Sequence, residues 1–210
     1  YAWDAMLMSK MADAIGLADE AARYMAVYED EKAFFQEQFV NADGTLKRGE
    51  QSVCLHALYL DLLPNEESVA AVTEQLISNI ERNGNRLQTG FLGTEIIMHT
   101  LTKIDRSDVA YKLLLQHENP SWLYSVDQGA TTIWERWNSY TKATGFGDVG
   151  MNSFNHYSYG SIIEWVYKDL LGIERDEANP GYKHIILQPT FGGTLTYAKG
   201  SYDSVYGTIV

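Results

Sequence analysis

The sequence predicts a mainly α-helical protein that ends in a short β segment. Three observations lead there. Apolar residues recur at three- and four-residue spacing through most of the chain as far as Leu171, as one face of a helix requires. The joins between these stretches are short and carry Gly, Pro, Asn and Asp, which break helices and form turns. After Gly172 the spacing changes to alternation with β-branched residues, the pattern of half-buried strands.

The elements follow in order. Met6, Leu7, Met11, Ile15, Leu17, Met25 and Val27 space a helix over 5–28, with a break at Gly16. Residues 29–40 continue it, with Phe34, Phe35 and Phe39 on one side. Asn41 to Gly44 is a turn. Residues 51–63 form an apolar helix, buried on most sides, which Pro64 stops. Asn65 caps the next helix, whose face is Val69, Val72, Leu76, Ile77 and Ile80. Asn83-Gly84-Asn85 closes it, and a Gly-containing loop, RLQTGFLGT, follows.

Thr94 is expected to cap a helix through Lys103, and 108–117 is expected to form another. After the break at Asn119-Pro120-Ser121, helices are expected over 131–140 and over 155–171. Strands are expected at 184–188, 195–199 and 202–210. A boundary is placed near Ala178, dividing a helical part, 1–177, from a β part, 178–210, too short for its own core. There is no fixed-length repeat that would mark a named solenoid.

Composition bounds the function. With 210 residues and 45% hydrophobic content, the chain can bury a sizeable core. Five Trp and fourteen Tyr argue against disorder. The net charge of −12 argues against a nucleic-acid partner and an anionic membrane surface. No apolar run approaches the ~18 residues that span a bilayer. The lone cysteine, Cys54, lies in the apolar run VCLHALYL and reads as a buried structural thiol. The chain starts inside one element and stops inside another, so a piece of a longer protein is expected, and the missing leader says nothing about export.

Chemistry concentrates in DQGATTIWERWNSYTKATGFGDVGMNSFNHYSYG, from Asp127 to Gly160. Trp and Tyr offer flat faces to the C–H side of a pyranose, while amides and charges take its hydroxyls. Glu135 is suited to acid–base work, but on the residues alone a structural salt bridge is the favoured reading. Its neighbour Arg136 is an unsuitable partner, because adjacent residues on a helix point about 100° apart. His156 could serve a sugar hydroxyl, or be satisfied by backbone at a helix start. Trp134 and Trp137, three apart, would share a helix side, one for stacking and one for core. Gly90, Phe91 and Gly93 could bring backbone close to a ligand, or simply join two helices. The five histidines lack metal-ligand spacing, and no phosphate loop, Ser-His-Asp order or zinc motif is present, so neither metal nor cofactor is expected.

Four ordered segments, RLQTGFLGT, QHENPSWLYSVDQGATTIWERWNS, MNSFNHYSYGSIIEWVY and PGYKHIILQPTFGGTLTYAKGSYDSVYGTI, resemble the C-terminal part of bacterial α-L-rhamnosidases of glycoside hydrolase family 78. The resemblance covers most of the chain from Gln51 onward and is looser before it. It implies an (α/α)6 toroid of two concentric helix rings, here incomplete, followed by the start of a β-sandwich domain. It implies hydrolysis with inversion, releasing terminal L-rhamnose from a rhamnose-containing carbohydrate. Glu135 takes the place of the family's general base, and His156 that of a sugar-pocket histidine; Trp134, Trp137, Asn155, Gly90 and Phe91 are the further candidates for substrate contact. The family's general acid lies in an Arg-Asp-Glu-Arg type segment upstream of the matched motifs, and no such segment occurs here. The isolated chain is therefore expected to be nearly inactive. Part of a toroid exposes apolar helix faces, so self-association is expected. A silent carbohydrate-binding module, or an (α/α)6 glycosidase for another hexose, shares these residue types.

Overall fold

A computed structural model describes all residues 1–210. Helices joined by short turns dominate as far as Leu170, and two of three small β-hairpins follow. The chain divides into two compact units, Tyr1–Asn79 and Ile80–Val210.

In the first unit, α1 (Ala2–Ala14) and α2 (Ala18–Phe39) form a helical hairpin. The expected break falls at Gly16, whose φ of 78° lets the chain leave α1 through bonds from Gly16 N–H to the Asp13 carbonyl and Leu17 N–H to the Ala12 carbonyl. Ala5, Tyr28 and Leu62 form a small core, with Met6, Val27, Phe35 and Leu60 packed on it. Tyr28 donates its hydroxyl to the Leu60 carbonyl (3.3 Å), and Gln36 its amide to the Leu62 carbonyl (3.0 Å).

Helix α3 (Gln51–Tyr59) stops four residues short of the expected Leu63, because Asp61 turns left-handed at φ 55°. It carries Cys54, Leu55 and Leu58, all buried. Desolvation pushes the Cys54 thiol up to about 12, the signature of an inert buried sulfur. Helix α4 (Glu66–Arg82) starts where Asn65 Oδ1 accepts the Ser68 N–H at 2.8 Å, as its capping role requires. Val72, Leu76, Ile77 and Ile80 are buried as the face predicts, while Val69 stays 38% exposed. Gln75 of α4 pairs through both ends of its amide with the backbone of Leu46 (3.0 and 2.9 Å).

The second unit packs α5 (Phe91–Lys103), α6 (Ser107–Leu114) and α8 (Ile162–Trp165) around Ile97, Met98, Leu101, Val109, Leu113 and Trp165. Trp165 is fully buried, donates its indole N–H to Thr102 Oγ1 at 2.9 Å, and meets the Tyr111 ring edge-on at 5.4 Å. Helix α8 is preceded by a 3₁₀ turn (Ser158–Ser161) and continues as a π turn (Val166–Leu170). The single helix expected over 155–171 thus starts at Ser158 and changes pitch twice.

Other expectations are corrected. Residues 131–140 are not helical; they form an irregular loop leading into hairpin β1 (Tyr140–Thr141) and β2 (Gly145–Phe146). A short helix α7 (Trp122–Asp127), capped by Ser121 accepting from Tyr124 N–H (3.1 Å), went unpredicted. Thr94 does not cap α5, which begins three residues earlier behind Gly90; its hydroxyl instead meets that of Thr89 at 2.8 Å. Near the C-terminus β3 (Ile173–Arg175) pairs antiparallel with β4 (Ile185–Leu187), and β5 (Tyr202–Ser204) with β6 (Gly207–Ile209). Residues 195–199 form no ladder. No helix is long and apolar enough to cross a membrane.

Candidate functional site

The loop after α7 and the segment entering the 3₁₀ turn run side by side in opposite directions. Glu135 N–H donates to the Ser153 carbonyl (2.9 Å), His156 N–H donates to the Ile133 carbonyl (2.8 Å), and the Thr132 hydroxyl donates to the Phe154 carbonyl. The intervening hairpin is tied at its base, where the Gly147 N–H (2.8 Å) and Asn152 side-chain amide (3.2 Å) both donate to the Ser139 carbonyl. This pairing, not a helix, fixes where Glu135 and His156 stand.

Glu135 is half-buried. Its Oε2 accepts the Ser153 N–H at 2.8 Å. Arg136 turns away and donates to the Gly150 carbonyl at 3.2 Å, so the salt-bridge alternative is not realised. A carboxylate has about four acceptor positions, so most of its capacity is open to water or ligand.

The His156 ring lies on Phe91, with centroids 4.7 Å apart and planes 20° from parallel. Its other neighbour is Tyr157, parallel to within 2° at 5.8 Å. Nδ1 sits a long 3.5 Å from the Ser158 N–H, and the ring has no closer polar partner in the chain. Phe91, the first residue of α5, also touches Tyr159 (5.0 Å), which stacks on Trp137 at 3.8 Å and 15°. Trp137 meets Trp122 edge-on at 5.4 Å, and the Trp122 indole donates to the Tyr159 carbonyl at 2.8 Å. A continuous run of rings thus joins Phe91, His156, Tyr159, Trp137 and Trp122. Burial pushes the Tyr159 phenol up, away from ionisation.

Trp134 is outside that run. It is buried against Phe154 (5.4 Å) and Tyr140 (6.5 Å), both edge-on. Trp134 and Trp137 nevertheless reach one concavity of ≈ 340 Å³, shared with Trp122, Ser125, Ile133 and Tyr159. Neither Glu135 nor His156 lines it. Asn155 is exposed, its N–H donating to Ser153 Oγ at 3.2 Å. Gly90 is exposed with φ −77°, and open space lies where a Cβ would stand, so neither backbone nor crowding demands glycine there.

The structure therefore links His156 to Trp137 through Phe91 and Tyr159, and ties Glu135 to the backbone of Ser153. Ser153 and Trp122 carried no signal of their own: one acts through backbone, the other looks like any core indole. No cluster of three or more His, Cys, Asp or Glu side chains converges as a metal site would.

Residues 1–170 match the family model of the bacterial α-L-rhamnosidase six-hairpin glycosidase domain, and 172–210 that of the bacterial α-L-rhamnosidase C-terminal domain. An α-L-rhamnosidase of Formosa agariphila is 42% identical over 210 residues, which are 100% of this chain and 22% of that protein. The crystal structure of Streptomyces avermitilis α-L-rhamnosidase complexed with L-rhamnose matches with a TM-score of 0.92 at 38% identity, over 99% of this chain and 20% of that one. Native α-L-rhamnosidase from Aspergillus terreus matches with a TM-score of 0.93 at 32% identity, over 99% of this chain and 24% of that one. The chain spans about a fifth of the length of the curated relatives it matches.

Proposed function

Because the chain belongs to the bacterial α-L-rhamnosidase six-hairpin glycosidase family, built on an (α/α)6 toroid, we propose that it supplies the base side of a site that releases terminal α-L-rhamnose with inversion. Glu135 is the general base. His156, stacked on Phe91, holds a sugar hydroxyl through its unpaired ring nitrogen.

Inversion needs two carboxyl groups on opposite sides of the sugar, roughly 6.5–9.5 Å apart, so that a water fits beneath the anomeric carbon. The base takes a proton from that water as its oxygen attacks. The acid gives a proton to the departing glycosidic oxygen. The observation that carries the reading is the state of the Glu135 carboxylate: half-buried, oriented by one backbone N–H, and bound in no ion pair. A group so held has an oxygen left for water and no cation to neutralise it. The acid is assigned to sequence outside this chain, which covers about a fifth of its relatives.

The test is a chimera in which these 210 residues replace the matching segment of the Streptomyces avermitilis enzyme. The expected result is hydrolysis of p-nitrophenyl α-L-rhamnoside with β-rhamnose as the first anomer, and loss of about 10²–10⁴ in kcat on Glu135→Gln. The isolated chain should be nearly inactive. Retained turnover in the Glu135→Gln chimera, or α-rhamnose as first product, defeats the assignment. The first outcome would leave a carbohydrate-binding role without base chemistry.

A further inference from the structure

We propose that the cavity between the π turn and the C-terminal hairpins is a second carbohydrate site, which takes a neutral pyranose unit. The cavity has a volume of ≈ 390 Å³, and its lining includes Glu164, Tyr167, Lys168, Glu174, Tyr182 and Tyr202. That volume falls within the range of about 300–1,000 Å³ typical of small-molecule sites. None of Glu135, His156, Phe91, Trp134 or Trp137 takes part.

Three tyrosine rings supply the apolar faces. Those of Tyr182 and Tyr202 stand 4.8 Å apart at 44°, making an angled pair instead of a closed stack, and Tyr202 is 40% exposed. Such faces suit the C–H side of a pyranose. The polar groups set the charge of the ligand. Lys168 and Arg175 supply two positive charges, and Glu164 and Glu174 two negative ones, so the cavity carries no net charge. Lys168 Nζ lies 3.2 Å from Glu174 Oε2, which holds donor and acceptor side by side before any ligand arrives. An array of that kind serves vicinal hydroxyls, each donor and acceptor at once, better than it serves an ion.

Two backbone irregularities build the cavity. Tyr167 and Lys168 lie on the π turn Val166–Leu170, a conformation that is rare and concentrates at functional sites. Tyr182 follows Gly181, and both are left-handed, at φ 64° and 76°. That region is unfavourable for a residue with a Cβ. Here it turns the Tyr182 ring toward Tyr202. On the rhamnosidase reading above, such a site would tether a branched or polymeric substrate and raise its local concentration; the cavity's chemistry stands without it.

Saturation-transfer NMR on the 210-residue chain with methyl α-L-rhamnopyranoside tests the site, at sugar concentrations on the order of millimolar, where weak sites are read. The expected result is transfer to the sugar that survives His156→Ala, falls several-fold in Tyr202→Ala and is largely kept in Tyr202→Phe. D-Glucuronate, which carries a charge, should receive less. Transfer unchanged in Tyr202→Ala, or no transfer at all, overturns the proposal. Transfer lost only in His156→Ala overturns it too, while supporting the catalytic-site reading.

Discussion

Glu135 and Ser153 hold each other reciprocally: the Glu135 N–H donates to the Ser153 carbonyl at 2.9 Å, and the Ser153 N–H donates to the Glu135 carboxylate at 2.8 Å. One residue's backbone thereby positions the other residue's carboxylate without any cation. A glutamine keeps an oxygen for the same N–H, whereas alanine removes it. Glu135→Gln should therefore shift the thermal midpoint by no more than about 2 °C. Glu135→Ala should lower it by roughly 2–4 °C, since an orphaned N–H costs about 1 kcal/mol. Circular dichroism melts check both; equal midpoints for the two variants would mean that the carboxylate is not held by Ser153.

On the proposed reading His156 has two separable tasks, packing and binding. Its stack on Phe91 should contribute about 0.5–1.5 kcal/mol beyond area burial. His156→Ala is expected to lose that stability and to raise KM in the chimeric enzyme. His156→Phe restores the stack but has no ring nitrogen, so stability should return while KM stays high. A KM restored by phenylalanine would show that the imidazole only packs.

The helical faces were legible because local periodicity determines them: Val72, Leu76, Ile77 and Ile80 are buried as their spacing requires, and Asn65 caps the helix it precedes. The largest failure has a non-local cause. Residues 131–140 carry helix-compatible spacing, but they are held by pairing with 153–156, a partner that periodicity within either segment does not reveal. Trp134 and Trp137 do reach one concavity, by way of this loop and not through a shared helix side. Likewise, nothing local places Phe91 on His156. The missed strand Ile173–Arg175 is three residues long, too short for alternation to register.

We propose that the isolated chain self-associates through its first unit. Met11, Ile15, Leu17 and Phe34 of the α1–α2 hairpin and its connecting turn are each at least 50% exposed. Large apolar side chains left exposed in this way favour association. Sedimentation velocity should show a weight-average coefficient that rises with concentration, and Met11→Lys with Phe34→Lys should suppress the rise. A monomer across the whole range contradicts the proposal.

Asp176 should report acid opening of the loop between β3 and β4. Its carboxylate faces His184 Nδ1 at 2.9 Å and accepts the Asn179 amide (2.8 Å) and the Ala178 N–H (2.9 Å). These contacts, His184 foremost, hold it at about 2, below the ordinary 3.8. A depressed carboxyl stabilises its loop fully above the ordinary value, and that stabilisation is lost as pH falls through the folded one. Carbon-detected NMR titration should therefore give an Asp176 midpoint near 2, with the Ala178 and Asn179 amides moving in step. A midpoint near 3.8 would mean that the contacts do not persist in solution.

Gly172 is the position where backbone geometry leaves least choice. It ends the π turn at φ 70°, and its carbonyl accepts the Gln188 N–H at 2.9 Å, just before β3 pairs with β4. An added Cβ would land on the backbone at Gln188 and Pro189, atoms that cannot swing aside as a side chain does. Gly172→Ala thus combines left-handed strain, about 1–2 kcal/mol, with a backbone clash, and should exceed 2 kcal/mol in all, in the manner of other substitutions at incompatible φ. Gly129 separates the two terms: its φ is 100°, but open space surrounds it. Gly129→Ala should therefore show the strain alone, and denaturant titration of both variants should place Gly172→Ala clearly lower. Equal losses would mean that the β3–β4 hairpin shifts freely against the helix end, and that the tight approach at Gly172 does not anchor it.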